Sequence, residues 1–344
     1  MHTQISGIFL AFLSVGWMLA IASGCASYSQ KTNQTMQAWQ QGNPLQALES
    51  ISYASLNNDK KSSDVLFLLE EGSIARAAHK YDRSTEVLAK AEDKIEYYDS
   101  QPEITIREEI KALAINQSFT EYRAYHYDRI MMNTYQALNQ LMLASRKKED
   151  RQSYLDRSRV EWRKAYFRQR EAVEENAEAI ANAQKANQSV DEYDVEKTLN
   201  ESVAQRRLSR IYAHLENRQA YKDIVNPFTS YMMGLFYLFQ GENSSDLEFA
   251  RTALGNAYKM HPENPYLARD AELAENIASG EKAPDLLYLI FETGRAPSRE
   301  QAKISLPLFL FNNEVDYVGM AFPRLKFHPD YLKSIEIRAG QGWK

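Results

Sequence analysis

Six histidines, His2, His79, His126, His214, His261 and His328, lie far apart in the chain, and none forms the His-Glu-x-x-His spacing of a helical zinc site. The Gly-x-Ser-x-Gly elbow, the phosphate-binding loop and the Gly-x-Gly-x-x-Gly turn are also absent. Acidic residues number 46, but no two stand out as a general acid and base. The sequence therefore assigns no catalytic residue, no metal and no cofactor. His126 stands between Tyr125 and Tyr127 and ahead of Asp128, residue types that a proton relay uses. Adjacent residues on a helix point in different directions, so a structural role is the expectation. His261 precedes Pro262, where an imidazole meets the last carbonyls of a helix.

Binding chemistry is better represented. The 21 tyrosines cluster at Tyr122, Tyr125 and Tyr127 and again at Tyr231 and Tyr237. A phenol offers contact area at low entropic cost, which makes Tyr125 and Tyr127 candidates for gripping a partner peptide. The stretch 157–170 interleaves arginine and lysine with Trp162, Tyr166 and Phe167. One reading is a groove for an acidic partner, anionic lipid or peptidoglycan stem, with Arg163 as its contact. The other is a solvated helix face with Trp162 and Phe167 in the core. The acidic continuation from Glu171 to Glu178 favours the second, because it gives neighbouring antiparallel helices opposite charges to pair. Arg295, beside Glu292, is the corresponding candidate near the C-terminus.

The only cysteine, Cys25, carries the most specific signal. An uncharged apolar run from Ile5 to Ala22 ends in the small residues Ala22-Ser23-Gly24, directly before it. An apolar core followed by small residues is the layout of a secretory signal peptide. The junction resembles the lipobox of bacterial lipoproteins, in which the thiol is alkylated by a diacylglyceryl group, the chain is cut before it, and the new amine is acylated. That resemblance implies cleavage between Gly24 and Cys25 and lipidation of Cys25. Two or more acyl chains anchor a protein stably, at about 0.8 kcal/mol per buried methylene. The segment Met1–Gln4 has no Lys or Arg, and Ala22 stands where the family favours Leu. The alternative is an uncleaved anchor, since the run approaches the roughly 20 residues that span a bilayer. Ala26 follows the cysteine, not the Asp that resembles an inner-membrane retention signal, so the outer membrane facing the periplasm is expected.

The elements that must position these residues read as helix. After a signal peptide over 1–24 and a polar tether over 25–34, residues 35–280 are sparse in Gly and rich in Ala, Leu, Glu, Gln and Arg, with apolar residues recurring at three and four. One stripe is Tyr127, Ile130, Met131, Thr134, Leu138, Leu141 and Met142. A second runs from Trp162 through Ala165, Gln169, Ala172, Val173, Asn176 and Ile180 to Ala183, on a helix over 156–186. Ala47-Ile51-Ala54, Ser84-Leu88-Ala91 and Ala250-Leu254-Ala257 repeat small, large and small residues on one helix face. With Gly234, Tyr237 and Gly241 ahead of the third set, this resembles tetratricopeptide repeats of about 34 residues. The run Tyr231–Phe239 is apolar on all sides and reads as the most buried helix.

From residue 281 the pattern changes to short strands: 285–292, 302–308 with Pro307 marking an edge, 315–322 and 334–338. The expected fold is mainly α, a tetratricopeptide-like array followed by a small strand-rich region over 281–344 that a partner completes or that stays incomplete.

Composition sets the outer bounds. A net charge of −5 offers no general attraction to nucleic acid, and one cysteine excludes an intrachain disulfide framework and Cys-rich metal sites. The segments 127–139, 226–231 and 292–297, with Ser305-Leu-Pro307, resemble an uncharacterised family of Gram-negative envelope lipoproteins with tetratricopeptide-like helices. That family implies no known activity. The expected function is a non-enzymatic, outer-membrane-anchored scaffold for other envelope proteins. The alternatives are a cell-wall-acting enzyme and a ligand-binding lipoprotein, each with its site between the helical and strand regions.

Overall fold

A computed structural model describes residues 28–57, 64–101, 122–187, 206, 209–210, 213, 226–292, 297–309 and 315–328. Gly24, Cys25, Arg295, His214 and the expected strand at 334–338 lie outside the described residues. Mainly helical structure is confirmed. The helices are α1 (Tyr28–Lys31), α2 (Asn33–Gln40), α3 (Pro44–Leu56), α4 (Asp64–Ala77), α5 (Tyr81–Asp99), α6 (His126–Arg146), α7 (Arg151–Asn187), α8 (Pro227–Gln240), α9 (Ser244–Met260) and α10 (Pro265–Ala278). The stretch expected to be a tether is helical from Tyr28, because Thr32 continues the turn by bonding its amide to the Tyr28 carbonyl at 3.0 Å.

Helix starts follow from local chemistry. The Asn43 side chain accepts from the Gln46 amide ahead of Pro44, and Asn226 accepts from the Thr229 amide ahead of Pro227. Each asparagine satisfies an otherwise orphaned donor, while proline presets the first helical φ and has no amide to waste. Asn243 caps α9 the same way, accepting from Asp246 at 3.0 Å. Gly42 turns the chain between α2 and α3 with φ +71°, a conformation that a Cβ would penalise.

The chain divides into two compact units, residues 1–172 with 224–267, and residues 173–223 with 268–344. In the first, consecutive helices α2 to α6 pack on their neighbours, and α8 packs on α9. All nine residues of the three small-large-small sets are buried. Two of the sets share a device. A Cβ on Gly72 of α4 would collide with Leu88 of α5, and one on Gly234 of α8 would fall 2.8 Å from Leu254 Cγ of α9. Helix backbones approach there because glycine makes room for a leucine.

α6 runs through the interior and differs from its expected stripe. Tyr127 and Met142 are exposed, while Asn133, Gln136, Asn139 and Gln140 are buried. The polar face is inside because it has partners there. Asn139 Nδ2 donates to Ser84 Oγ at 2.8 Å, Ser84 Oγ donates to the Gly72 carbonyl at 2.7 Å, and Arg76 donates to Asn139 Oδ1 at 3.1 Å. The apolar run of α8 is buried from Met232 to Leu238, as its composition predicts. Thr134 and Thr229 share a 2.7 Å hydrogen bond between α6 and α8.

In the second unit, β1 (Ser298–Phe309) and β2 (Val315–Lys326) form an antiparallel two-stranded ribbon in register Ser298↔Lys326 to Phe309↔Val315. Pro307 stands opposite Tyr317, and among the described residues both strands are edges. The run 285–292, expected as a strand, belongs to no strand among the described residues. Its β-forming composition is not enough, because a strand exists only through a neighbour's hydrogen bonds. Among the described residues no helix is long and apolar enough to cross a membrane.

Candidate functional site

The first turn of α6 carries an aromatic shelf. Tyr125, the N-cap residue, has extended backbone (φ −76°, ψ 163°), so the helical rule separating side chains two apart does not apply to it. Its ring stacks on Tyr127 with centroids 5.4 Å apart and planes at 15°, and Tyr122 meets it edge-on at 5.7 Å. Tyr125 and Tyr127 remain 49% and 44% exposed. They are the two candidate contacts that the structure brings together.

The shelf is braced from below. Asp128 accepts from the Tyr125 amide at 2.9 Å and from the Tyr122 hydroxyl at 2.5 Å. Burial, and then the adjacent Asp128, push the Tyr122 hydroxyl well above the ordinary phenol range. Arg129 forks onto both oxygens of Asp99 at 2.6 and 2.8 Å and also donates to the carbonyls of Arg123 and Ala124. That bidentate brace holds Ala124 in the left-handed region (φ 62°). A rigid pair of phenol faces is suited to an extended peptide or another apolar edge, since little side-chain entropy remains to be lost.

Arg163 takes a different place. It lies exposed on α7 beside the Tyr237 hydroxyl, whose tendency to stay protonated through burial it partly offsets. Three other basic residues of this helix are engaged within the first unit. Arg159 donates to Asp246 at 2.6 Å and to the Gln240 carbonyl at 2.8 Å, with its guanidinium over Phe236 and Tyr237. Lys164 and Arg168 each donate to Glu92 at 2.9 Å. The stretch is therefore mostly a clamp within the first unit. Trp162 is buried as expected, but Phe167 is exposed, because it lies out of phase with the buried Trp162, Ala165, Gln169 and Ala172.

Two carboxylates converge inside this clamp. Asn133 Nδ2 donates to Glu92 at 3.1 Å and to Glu161 at 2.7 Å, and Lys164 also reaches both. Burial opposes ionisation of Glu92, but Lys164, Asn133 and Arg168 outweigh it and hold the carboxyl below the usual range. Burial dominates at Glu161, with the Glu92 charge adding to it, and keeps that carboxyl above the usual range. Sequence reading missed this pair because the residues lie 69 positions apart. It also missed a polar groove of about 570 Å³ lined by Gln34 and Gln37 of α2, by Gln41 just after it, and by Gln46, Glu49, Ser50 and Tyr53 of α3. The three- and four-residue spacing of those glutamines was the available signal. Among the described residues no group of His, Cys, Asp and Glu is arranged to hold a metal ion.

Compared with known proteins, the chain matches no family model and no curated protein.

Proposed function

We propose that this chain is a lipid-anchored, periplasm-facing outer-membrane protein that serves as an interaction scaffold in cell-envelope assembly. Cys25, behind its apolar run and small residues, supports the anchor and signal-peptide cleavage after Gly24. The three small-large-small sets, with glycine opposite leucine in two of them, support a tetratricopeptide-like array. The partners in this reading are other envelope proteins. A strand-rich C-terminal region, larger than the β1–β2 ribbon, belongs to the same proposal.

The observation that carries the scaffold reading is the stacked, half-exposed Tyr125–Tyr127 pair on a braced turn. Its occupant is an extended peptide segment of a partner. A photo-crosslinking residue placed at Tyr127 in living cells, with the same residue at exposed Leu56 as control, tests this. Discrete adducts at Tyr127 that are absent from Leu56 and from a Cys25→Ala chain are expected. Identical adduct patterns at the two positions overturn it.

A second reading, an enzyme acting on cell-wall glycan or peptide, draws on Glu92 and Glu161. Their proton affinities are displaced in opposite directions, the polarity an acid and base pair needs. Lys164 and Arg168 already occupy the Glu92 oxygens, which favours the scaffold.

A further inference from the structure

We propose that the polar groove between α2 and α3 is a binding site for a neutral oligosaccharide. Gln34 and Gln37 of α2, with Gln41 just after it, line one wall at spacings of three and four, which puts them on one side. Gln46, Glu49 and Tyr53 of α3 line the other wall, also at helical spacing. The volume, about 570 Å³, lies within the range of roughly 300–1,000 Å³ that takes small ligands. From Thr32 to Asn57 the one charged residue is Glu49, although charged side chains make up 25% of the chain.

The two helices are pinned together, and the walls are left open. Buried Thr35 of α2 donates to Ser50 Oγ of α3 at 3.1 Å. Asn43 donates to Gln46 Oε1 at 3.1 Å, which leaves the Gln46 amide nitrogen to donate to a ligand. Among the described residues, no side-chain hydrogen bond or ion pair engages Gln34, Gln37, Gln41 or Glu49. Each amide offers one acceptor and two donor hydrogens, while the Glu49 carboxylate only accepts. A sugar hydroxyl both donates and accepts, so amides facing one another beside a carboxylate match a row of hydroxyls. Tyr53 lines the same groove and is 72% exposed. The electron-rich face of such a ring attracts the weakly positive C–H bonds on one side of a pyranose.

The lining also selects against other ligands. Among the described residues no lysine, arginine or histidine lines the groove, so a sulfated or acidic chain would meet Glu49 with nothing to neutralise it. Peptide grooves work through an open sheet edge, an apolar trough, a row of aromatic rings or an arginine cluster. Here the walls are helices, Ala38 is the one aliphatic side chain among the described lining residues, and Tyr53 is the one ring. Neither an extended peptide nor an amphipathic helix would find pockets for its side chains. The groove lies on α2 and α3, away from Cys25 and from the Tyr125–Tyr127 turn of α6, so this site does not rest on the scaffold reading.

The test titrates the purified full chain with tetra-N-acetylchitotetraose, cellotetraose and maltotetraose by calorimetry. Controls are a heparin-derived tetrasaccharide and tetra-alanine. Saturable binding of at least one neutral tetrasaccharide is expected, at least tenfold tighter than either control. Gln34→Ala with Gln37→Ala, and separately Tyr53→Ala, should each weaken it at least tenfold, whereas Tyr53→Phe, which keeps the ring, should retain it. These side chains are exposed, so the melting temperature should stay that of the parent chain. If a variant melts earlier, photo-labelling of the parent chain with a diazirine-bearing form of the bound sugar decides instead, and should mark residues within 34–53. No saturable binding of the three neutral sugars, equal binding of the heparin-derived control, unchanged binding by the alanine variants, or a label confined to other residues overturns the proposal. Tetra-alanine binding as tightly as the sugars assigns the groove to an extended peptide and overturns it equally.

Discussion

Replacing Glu92 and Glu161 one at a time by glutamine should move stability in different directions, although the two side chains share Asn133 and Lys164. Glu92 is 9% exposed and accepts charged hydrogen bonds from Lys164 and Arg168 at 2.9 Å. Removing one partner of a buried ion pair costs about 3–5 kcal/mol, because the remaining charge stays desolvated. Lys164 is 39% exposed, so water screens its share. About 3 kcal/mol is therefore expected for Glu92→Gln. In a unit of this size, that lowers the melting temperature by about 6–12 °C. Glu161→Gln should leave the neutral-pH melting temperature no lower than that of the parent chain, because burial already disfavours its ionised form.

The pH dependence carries the sign. Glu92 binds its proton less tightly in the folded chain than its ordinary value of 4.5, so its contribution is present above that value and lost as pH falls through the depressed one. Glu161 binds its proton more tightly when folded, so its contribution is present below the ordinary value and lost as pH rises through the raised one. Both glutamine variants should therefore converge on the parent chain in acid and diverge from it, and from each other, at neutral pH. Thermal melts followed by circular dichroism across that range read this directly. Equal losses for the two variants at neutral pH, or a Glu92→Gln chain as stable as the parent, would refute the electrostatic account of the clamp.

Gly72→Ala should cost about 2 kcal/mol by forcing Leu88 out of its rotamer or separating α4 from α5, checked by urea denaturation. Gly234→Ala should behave alike through Leu254, and a neutral result at both positions removes glycine–leucine contact as a packing device. Tyr125→Ala with Tyr127→Ala should keep the unfolding free energy within about 1 kcal/mol of the parent, since half-exposed side chains contribute little, while removing the crosslinks expected at this turn. Intact-mass measurement of chain extracted from membranes should show Cys25 as the N-terminal residue with acyl mass added. An unmodified thiol with the leader retained rejects the anchor.

The helical sets were legible because burial there is a matter of phase: Ala47, Ile51 and Ala54, and their counterparts, lie on one face and that face is inside. The same phase places Trp162, Ala165, Gln169 and Ala172 inside, and Phe167, two positions off, outside. Polarity hid the rest. Asn133 and Asn139 are fully buried, yet their types suggest solvent, and their partners Glu92 and Ser84 lie 41 and 55 residues away. Nothing local in the sequence announces that such a partner is present. The stacked Tyr125–Tyr127 pair was hidden differently. Helical geometry separates neighbours two apart, and only the extended N-cap conformation lets these rings meet.

The contrast between the helical clamp and the run at 285–292 shows what each kind of residue commits the chain to. The arginines and lysines of α7 resemble a binding surface in sequence, but three of them are engaged with buried or half-buried acids and carbonyls of the same unit. A partner seeking Arg159 or Arg168 would have to break a bond to Asp246 or Glu92 first, and would recover little. Leu287, Leu289 and Phe291 pose the opposite case, since water is their present neighbour and covering them releases it. Large apolar and aromatic side chains are thus exposed at the phenol shelf and in the run after α10, while Arg159, Lys164 and Arg168 of the basic helix hold the first unit together.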